Sequence, residues 1–427
     1  MLALTLLYVA LIGAFFAVYA WSLYNLPILA TGVRNLRRAK QMSRKKCVEK
    51  DQLPTFSIVV PVKNEGKVVG RLLEALAKLD YPAGKQEVII VEDGSTDGSL
   101  EVCRRFAGER KGLAVKVLQK PSSDGKPSAL NYGIRQATGD IVAVFDADSV
   151  PAGDVLLNVS GYFDDPSVAA VQGRTLSINS DENMLTKFIA YEDVVWCEAY
   201  LRGKDVLNLF VHLRGSCQFI KRSVLEELAG FDENILSEDM ELSARLTEKG
   251  YRIRYASDAC SWQETPASLK GLVKQRTRWF RGTMEVAFKY GRLMAKPSMR
   301  SFDAEATLFG PFMLLFSLLT YFAAFFSFFI PFPLGFWWQM ALQFTALSSM
   351  LTLFLCGLAL VYASKPRKAT NVFWLPFIYF YWSLQTLIAL HALLLIVLRR
   401  PRKWVKTEKT GSVRSLGFGK DTELESC

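Results

Sequence analysis

Two aspartates two positions apart, Asp146 and Asp148, follow the apolar run Ile141-Val-Ala-Val-Phe145. On an extended segment such residues point to the same side, where they can share Mg²⁺ or Mn²⁺, hard cations that take oxygen ligands and often bind substrate phosphates as well. A second acidic group, Ser237-Glu238-Asp239, opens a helical pattern that continues from Met240 to Lys249. Two readings stand here: Ser237 caps the helix while the carboxylates answer its dipole, or a carboxylate moves a proton. A third group, Gln275-Arg276-Thr277-Arg278-Trp279, is basic and aromatic. Arg binds diphosphate bidentately and Trp offers a face to a sugar ring; the same residues suit a helix at a membrane surface.

The elements that must position these groups are legible around them. Ser57-Ile-Val-Val-Pro61 precedes a helical pattern from Lys67 to Leu79, and Glu87-Val-Ile-Ile-Val91 precedes one from Ser99 to Phe106. Ala114 to Leu118 precedes one from Pro127 to Gln136, and Ile141 to Phe145 follows. Alternation of this kind predicts an α/β fold with a mainly parallel sheet and right-handed crossovers. Ligands of such sheets bind beyond the carboxyl ends of the strands, where Lys63-Asn64-Glu65, Glu92-Asp93-Gly94-Ser95 and Asp146-Ala147-Asp148 all fall. No dinucleotide or P-loop glycine fingerprint follows these strands, so a cation is the means left to hold a phosphorylated ligand.

The chain has 427 residues, half of them apolar. That suffices for one soluble core with apolar segments to spare. The first charged residue is Arg34, and residues 1–31 are long enough, at about 1.5 Å per residue, to cross about 30 Å of hydrocarbon. With no basic stretch before it, this run reads as an anchor helix rather than a cleaved signal. Ala306 to Ile330, Phe336 to Tyr362 and Val372 to Leu398 each have the length of a span, giving a C-terminal membrane region over 306–398. The net charge of +11 gathers beside these segments: in a basic linker, 32–53, at Lys365, Arg367 and Lys368, and in a basic tail, 399–427. Such placement favours the positive-inside rule over a nucleic-acid partner. It predicts a multi-pass cell-membrane protein with the domain 54–300 in the cytoplasm. Three C-terminal crossings would leave the tail outside, so either the segment around Pro376 lies in the interface or re-enters, or the tail breaks the rule. The seven cysteines, an odd number without a Cys-x-x-Cys pair, and two histidines argue against a disulfide scaffold, a zinc site or a haem. His391, inside an apolar stretch, reads as a helix-packing residue.

The order of these motifs resembles the family-2 inverting glycosyltransferases of GT-A fold, especially the membrane synthases of cellulose, chitin, hyaluronan and poly-N-acetylglucosamine. The resemblance rests on Pro-Val-Lys-Asn-Glu at 61–65, Glu-Asp-Gly-Ser at 92–95, Gly-Lys-Pro-Ser-Ala-Leu-Asn at 125–131, Asp-Ala-Asp at 146–148, Ser-Glu-Asp at 237–239 and Gln-x-x-Arg-Trp at 275–279. It implies a GT-A nucleotide-sugar-binding domain flanked by transmembrane helices, with an interface helix at 275–290. It implies further that Glu65 and Asp93 hold uridine, Lys126 approaches the donor phosphates, and Asp146 and Asp148 bind donor and metal. Asp239 becomes the general base, Gln275 and Arg278 lie near the diphosphate, and Trp279 lies beneath the acceptor sugar. Gly215-Ser216-Cys217 resembles the acceptor-facing loop, and Gln172 and Arg174 resemble a motif near the same channel. Trp404-Val-Lys-Thr-Glu resembles a segment that follows the last membrane helix in some members, though lipid anchoring explains it equally. Two departures are Ser237, where Thr is common, and a single visible N-terminal span where many synthases have two or more.

The implied reaction is transfer of a sugar from a UDP-sugar to a hydroxyl, with Mg²⁺ or Mn²⁺ and inversion to a β-glycoside. The first expectation is processive synthesis of a polysaccharide of β-linked glucose or N-acetylglucosamine, with room for a small membrane partner subunit. The alternatives are single transfer to a membrane lipid and, outside enzymes, a nucleotide-sugar-binding component of a membrane complex or the regulatory domain of a channel or transporter.

Overall fold

A computed structural model of the chain describes residues 2–36, 52–110, 112–291, 298–327, 336–364, 368–402 and 409–411. Most of the basic linker and much of the tail, Trp404 included, lie outside these residues. The first half of the domain alternates as its sequence predicts. β1 (Phe56–Val62), β2 (Gln86–Glu92), β3 (Ala114–Gln119) and β4 (Ile141–Val144) are separated by α2 (Val69–Leu76), α3 (Ser99–Glu109) and α4 (Lys126–Ile134). β1 and β2 are apolar and buried on both faces, as strands inside a two-sided parallel sheet must be. β3 at the edge alternates exposed and covered residues.

The second half adds antiparallel pairs to a sheet that stays mainly parallel, its longest pairing, between Val168–Ser177 and Arg252–Gln263, being parallel as expected. It adds β5 (Val150–Pro151), β6 (Val168–Ser177), β7 (Gln218–Lys221) and β8 (Arg252–Gln263), giving the order β3-β2-β1-β4-β7-β6-β8-β5 in one sheet. β1 to β4 pair in parallel, but β7 is antiparallel to both β4 and β6. The sheet is therefore mixed. This reversal sets Gln218 at the start of β7 beside Val144 at the end of β4. The loop before β7 thus meets the aspartates after β4. Three of the domain's further helices bear on the site: α5 (Met184–Val194), α6 (Glu238–Glu248) and α7 (Leu269–Tyr290), the last beginning ahead of the expected Gln275.

The apolar segments are helical: α1 (Leu2–Asn35), α9 (Gly310–Ser327), α10 (Phe336–Ala363) and α11 (Leu375–Val397), with the shorter α8 (Met299–Leu308) ahead of α9. Among the described residues, Ala10–Asn35 and Ala369–Val397 are each long and apolar enough to cross a membrane. α8 and α9 together would make a third span, but they bend by 55° where they meet. α1 is fused to the domain. A side-chain carbon on Gly32 would lie 1.8 Å from the Ala199 carbonyl oxygen, and one on Gly203 would lie 2.0 Å from that of Ile28, so only glycine allows this approach.

Beside this contact Lys204 and Asp303 form a fully buried ion pair, Nζ to Oδ2 3.1 Å. Asp303 also accepts from the Tyr24 hydroxyl at 2.8 Å and the Phe210 amide at 2.8 Å, joining α1, the domain and α8. A buried carboxylate stripped of its partner costs about 3–5 kcal/mol, whereas replacing both charges by apolar groups is often neutral. Lys204→Met should therefore lower the stability of detergent-solubilised protein by about 3–5 kcal/mol, and adding Asp303→Asn, which removes the stranded charge but keeps an acceptor oxygen for Tyr24 and Phe210, should recover much of it. Equal losses in the single and double variants would show that the pairing is not what stabilises this junction.

Candidate active site

The carboxyl ends of the strands gather around one ammonium group. Lys126, first residue of α4, sits where Gly133 in the same helix allows close packing on the sheet. A side-chain carbon at Gly133 would come within 2.7 Å of Val59 and 2.8 Å of Val91. From there Nζ of Lys126 lies 2.7 Å from Asp146 and 3.4 Å from Glu238, and donates to the Gly215 carbonyl at 3.0 Å. Burial alone would favour the neutral amine, but Asp146 and then Glu238 outweigh it and hold the ammonium above its ordinary range.

Asp239 enters from the first turn of α6. Its Oδ1 accepts from the Met240 amide at 2.8 Å. A side-chain carbon at Gly215, whose φ is +80°, would lie 3.2 Å from both Asp239 Oδ2 and Lys126 Nζ, so the bare backbone keeps this corner open. Burial and the Glu238 charge push Asp239 up to about 7, against the opposing pull of Lys126, the Met240 amide and Arg278. Ser237 stands at the N-cap position but makes no side-chain capping bond. Its hydroxyl is pressed against α7, where a carbon on Gly282 would lie 2.1 Å from Ser237 Oγ. This contact holds the helix bearing Gln275, Arg278 and Trp279 against the Asp239 turn. All three side chains are half-buried.

On the β1 and β2 side, Asp93 is buried, accepts from Ser123 and the Gly125 amide at 3.2 Å each, and pairs with Lys120 at 3.6 Å and Lys63 at 3.8 Å. The Glu65 amide donates to Ser99 at 2.8 Å. Asp148 is buried, accepts from the Glu264 amide at 3.1 Å and receives Lys409 Nζ at 2.6 Å. Lys409 also donates to the Glu264 carbonyl at 2.8 Å, and its ammonium is held above its usual range against burial by Asp148, Asp146 and Glu65. Nothing in the tail sequence announces this contact.

The residues read as acceptor-facing take supporting positions. Gln172 is fully buried, donates to the carbonyls of Gly173, Ser216 and Cys217 at 2.9–3.2 Å and accepts from the Arg214 amide at 2.8 Å, so it braces the loop from beneath. Ser216 accepts from the Asp146 amide at 3.1 Å, and the Cys217 thiol is buried in the core. Arg174 is buried 3.5 Å from Glu198. Sequence reading missed the adjacent acids of α5. Asp193 holds Arg214 at 2.9 Å, and Glu192 pairs with Arg276, whose guanidinium lies 4.5 Å above the Trp279 ring.

The arrangement brings a half-open carboxylate titrating near neutrality, a buried ammonium, two aspartates and an aromatic helix to one cleft at the carboxyl ends of a mixed sheet. The fold is similar to that of a mannosyltransferase from Pyrobaculum calidifontis solved with GDP-Man and Mn²⁺, with a TM-score of 0.56 and 22% identity over 90% of this chain and 100% of that one. In sequence the chain is 32% identical to the probable glycosyltransferase YdaM of Bacillus subtilis, 33% to a beta-monoglucosyldiacylglycerol synthase of Nostoc sp. and 30% to a poly-beta-1,6-N-acetyl-D-glucosamine synthase of Staphylococcus epidermidis. These matches cover 64%, 58% and 56% of this chain and 66%, 53% and 57% of those proteins, about half to two thirds of their length. The family described as "Glycosyltransferase like family 2" matches residues 54–282, more than half of the chain and the whole of the cleft up to Gly282. The chain belongs to that family of glycosyltransferases.

Proposed function

We infer that the chain transfers a sugar from a UDP-sugar to an acceptor hydroxyl with inversion, and does so processively to build a β-linked polysaccharide of glucose or N-acetylglucosamine. The domain faces the cytoplasm of a multi-pass membrane protein, as the basic residues beside the apolar segments favour. The observation that carries the reading is Asp239, pushed up to about 7 and set across the open corner at Gly215 from Lys126. A base with that affinity for a proton is matched to a hydroxyl attacking near neutral pH.

In this mechanism Oδ2 of Asp239 takes the proton of the acceptor hydroxyl as it attacks the anomeric carbon. Lys126 and Arg278 stabilise negative charge on the departing diphosphate, with Gln275 donating beside them. Glu65 and Asp93 hold the uridine, and Trp279 presents a ring face to the acceptor sugar. A single base suffices, since no covalent intermediate forms. Among the described residues no cluster of three or more His, Cys, Asp and Glu side chains could hold a metal. Two carboxylates nevertheless fit Mg²⁺ or Mn²⁺ that binds through one or two aspartates plus substrate phosphates. Both Asp146 and Asp148 already hold an ammonium group. The ion would neutralise the diphosphate.

The similarity to glucosyldiacylglycerol synthases supports a second reading, single transfer to a lipid. Product analysis separates the two. After incubation of purified protein with labelled UDP-glucose and UDP-N-acetylglucosamine, a retained ladder is expected, and one solvent-extractable glycolipid would replace the first reading by the second. Chelation should abolish transfer and added Mg²⁺ or Mn²⁺ should restore it; indifference to chelator would remove the ion from the mechanism.

Asp239 accepts a proton only as the carboxylate, so kcat/KM should rise with pH through about 7. Glu238→Gln deletes the charge that raises Asp239 and should move this rise to lower pH. Asp239→Asn should keep donor affinity and lose about 10²–10⁴-fold in turnover. An acidic limb left in place by Glu238→Gln would assign it to another group.

A further inference from the structure

The mechanism above makes no use of the ion pair between Glu192 and Arg276. Both side chains are largely buried, and the Arg276 guanidinium lies over the Trp279 ring, 4.5 Å from its centroid. The Glu192 oxygen that takes Arg276 also accepts from the Tyr381 hydroxyl at 3.1 Å, and the other oxygen accepts from the Gln385 amide at 2.8 Å. Both of these donors come from α11, which is itself packed along α9 with the Tyr379 and Tyr321 hydroxyls 3.3 Å apart. A brace between α5 and α11 needs only such neutral donors. The guanidinium adds a charge at a place where burial works against it, and Glu192 is the first of the groups that outweigh the burial. What the charge gains there is the face of an indole.

At about 3.6 residues per turn, Arg278, Gln275, Trp279 and Arg276 follow one another in that order around α7. Trp279 therefore stands between the two residues assigned to the diphosphate and the arginine that pairs with α5. An indole offers two faces, and either can take a sugar or a guanidinium. With Arg276 stacked on one of them, the face left free is the one toward Gln275 and Arg278, beside the donor. Glu192 keeps the cation in its place by matching its charge on α5. A guanidinium released into this cleft would compete with Arg278 for the diphosphate and leave the ring free to turn.

We propose that Glu192 is a positioning residue for the acceptor: by holding Arg276 on one face of Trp279, it reserves the other face, beside the donor, for the acceptor sugar. The proposal rests on the reading of Trp279 as the acceptor platform. It assigns Glu192 to acceptor affinity and leaves proton transfer to Asp239 and donor binding to the residues already named.

The test uses full-length, detergent-solubilised protein, labelled UDP-glucose and UDP-N-acetylglucosamine, and two β-linked disaccharides, cellobiose and diacetylchitobiose, as acceptor probes. Glu192→Gln keeps an oxygen for the donors of α11 but loses the charge. It should raise the KM for the disaccharide about tenfold, the size of one desolvated cation–π contact, with kcat and the donor KM unchanged. Arg276→Lys keeps the charge but loses the planar stack, and should do the same. The two changes together should raise KM no further than either alone, because both act through one contact. Multiplying effects, or a joint loss of kcat and donor affinity in Glu192→Gln, would reduce Glu192 to a brace and overturn the proposal. Should Glu192→Gln not yield folded protein, Arg276→Lys alone decides, and an unchanged disaccharide KM overturns the proposal. Trp279→Ala separates this failure from that of the underlying reading. If it raises the disaccharide KM while Glu192→Gln does not, only the role of Glu192 falls. If it leaves that KM unchanged, or if the unaltered protein glycosylates neither disaccharide, the sugar platform falls and the proposal with it.

Discussion

One ammonium group makes the cleft possible. Glu238 is buried beside Asp239, and Asp146 comes in from the opposite half of the sheet; three carboxylates so close would repel one another and expel water only at high cost. Lys126 stands among them and also donates to the Gly215 carbonyl, so a single charge joins α4, the end of β4, the loop before β7 and the first turn of α6. The balance is incomplete at Asp239, where burial and Glu238 outweigh the lysine. That remainder gives the carboxylate its affinity for a proton. Stability and reactivity thus draw on the same charge arrangement.

Much of this was legible in the residues. The first four strands and the polar clusters at their ends were readable because β-rich runs and helical periods alternate locally. The mixed second half was not, since nothing in Gln218–Lys221 says that it pairs antiparallel with both β4 and β6. Side-chain direction was equally hidden. Gln172 reads as a polar residue near a channel but is spent inside on three carbonyls, and Ser237 reads as a cap but turns to Gly282. Lys409 is the extreme case: a basic residue in a basic tail, it meets Asp148 across 261 positions of sequence, a contact that local pattern cannot encode.

The neighbouring acids of α5 explain how the aromatic helix is tied to the chemistry. Asp193 fixes Arg214, which leads into the Gly215 loop, while Glu192 fixes Arg276 over Trp279 and also receives Tyr381 and Gln385 from α11. Two consecutive residues therefore set the loop on one side of the cleft and the aromatic platform on the other. A shift of α11 would be felt at Trp279 through Glu192.

The close seating of α1 changes what a soluble version of this protein would be. Gly32 and Gly203 let backbone touch backbone, and Ile28 and Leu29 share an apolar cluster with Tyr191, Ala199, Leu360 and Ile378. Cutting away the first 36 residues would not sever a leash from a self-sufficient enzyme. It would open a packed core, bare the Ala199 carbonyl on which Gly32 sits, and take Tyr24 from a carboxylate with no access to water.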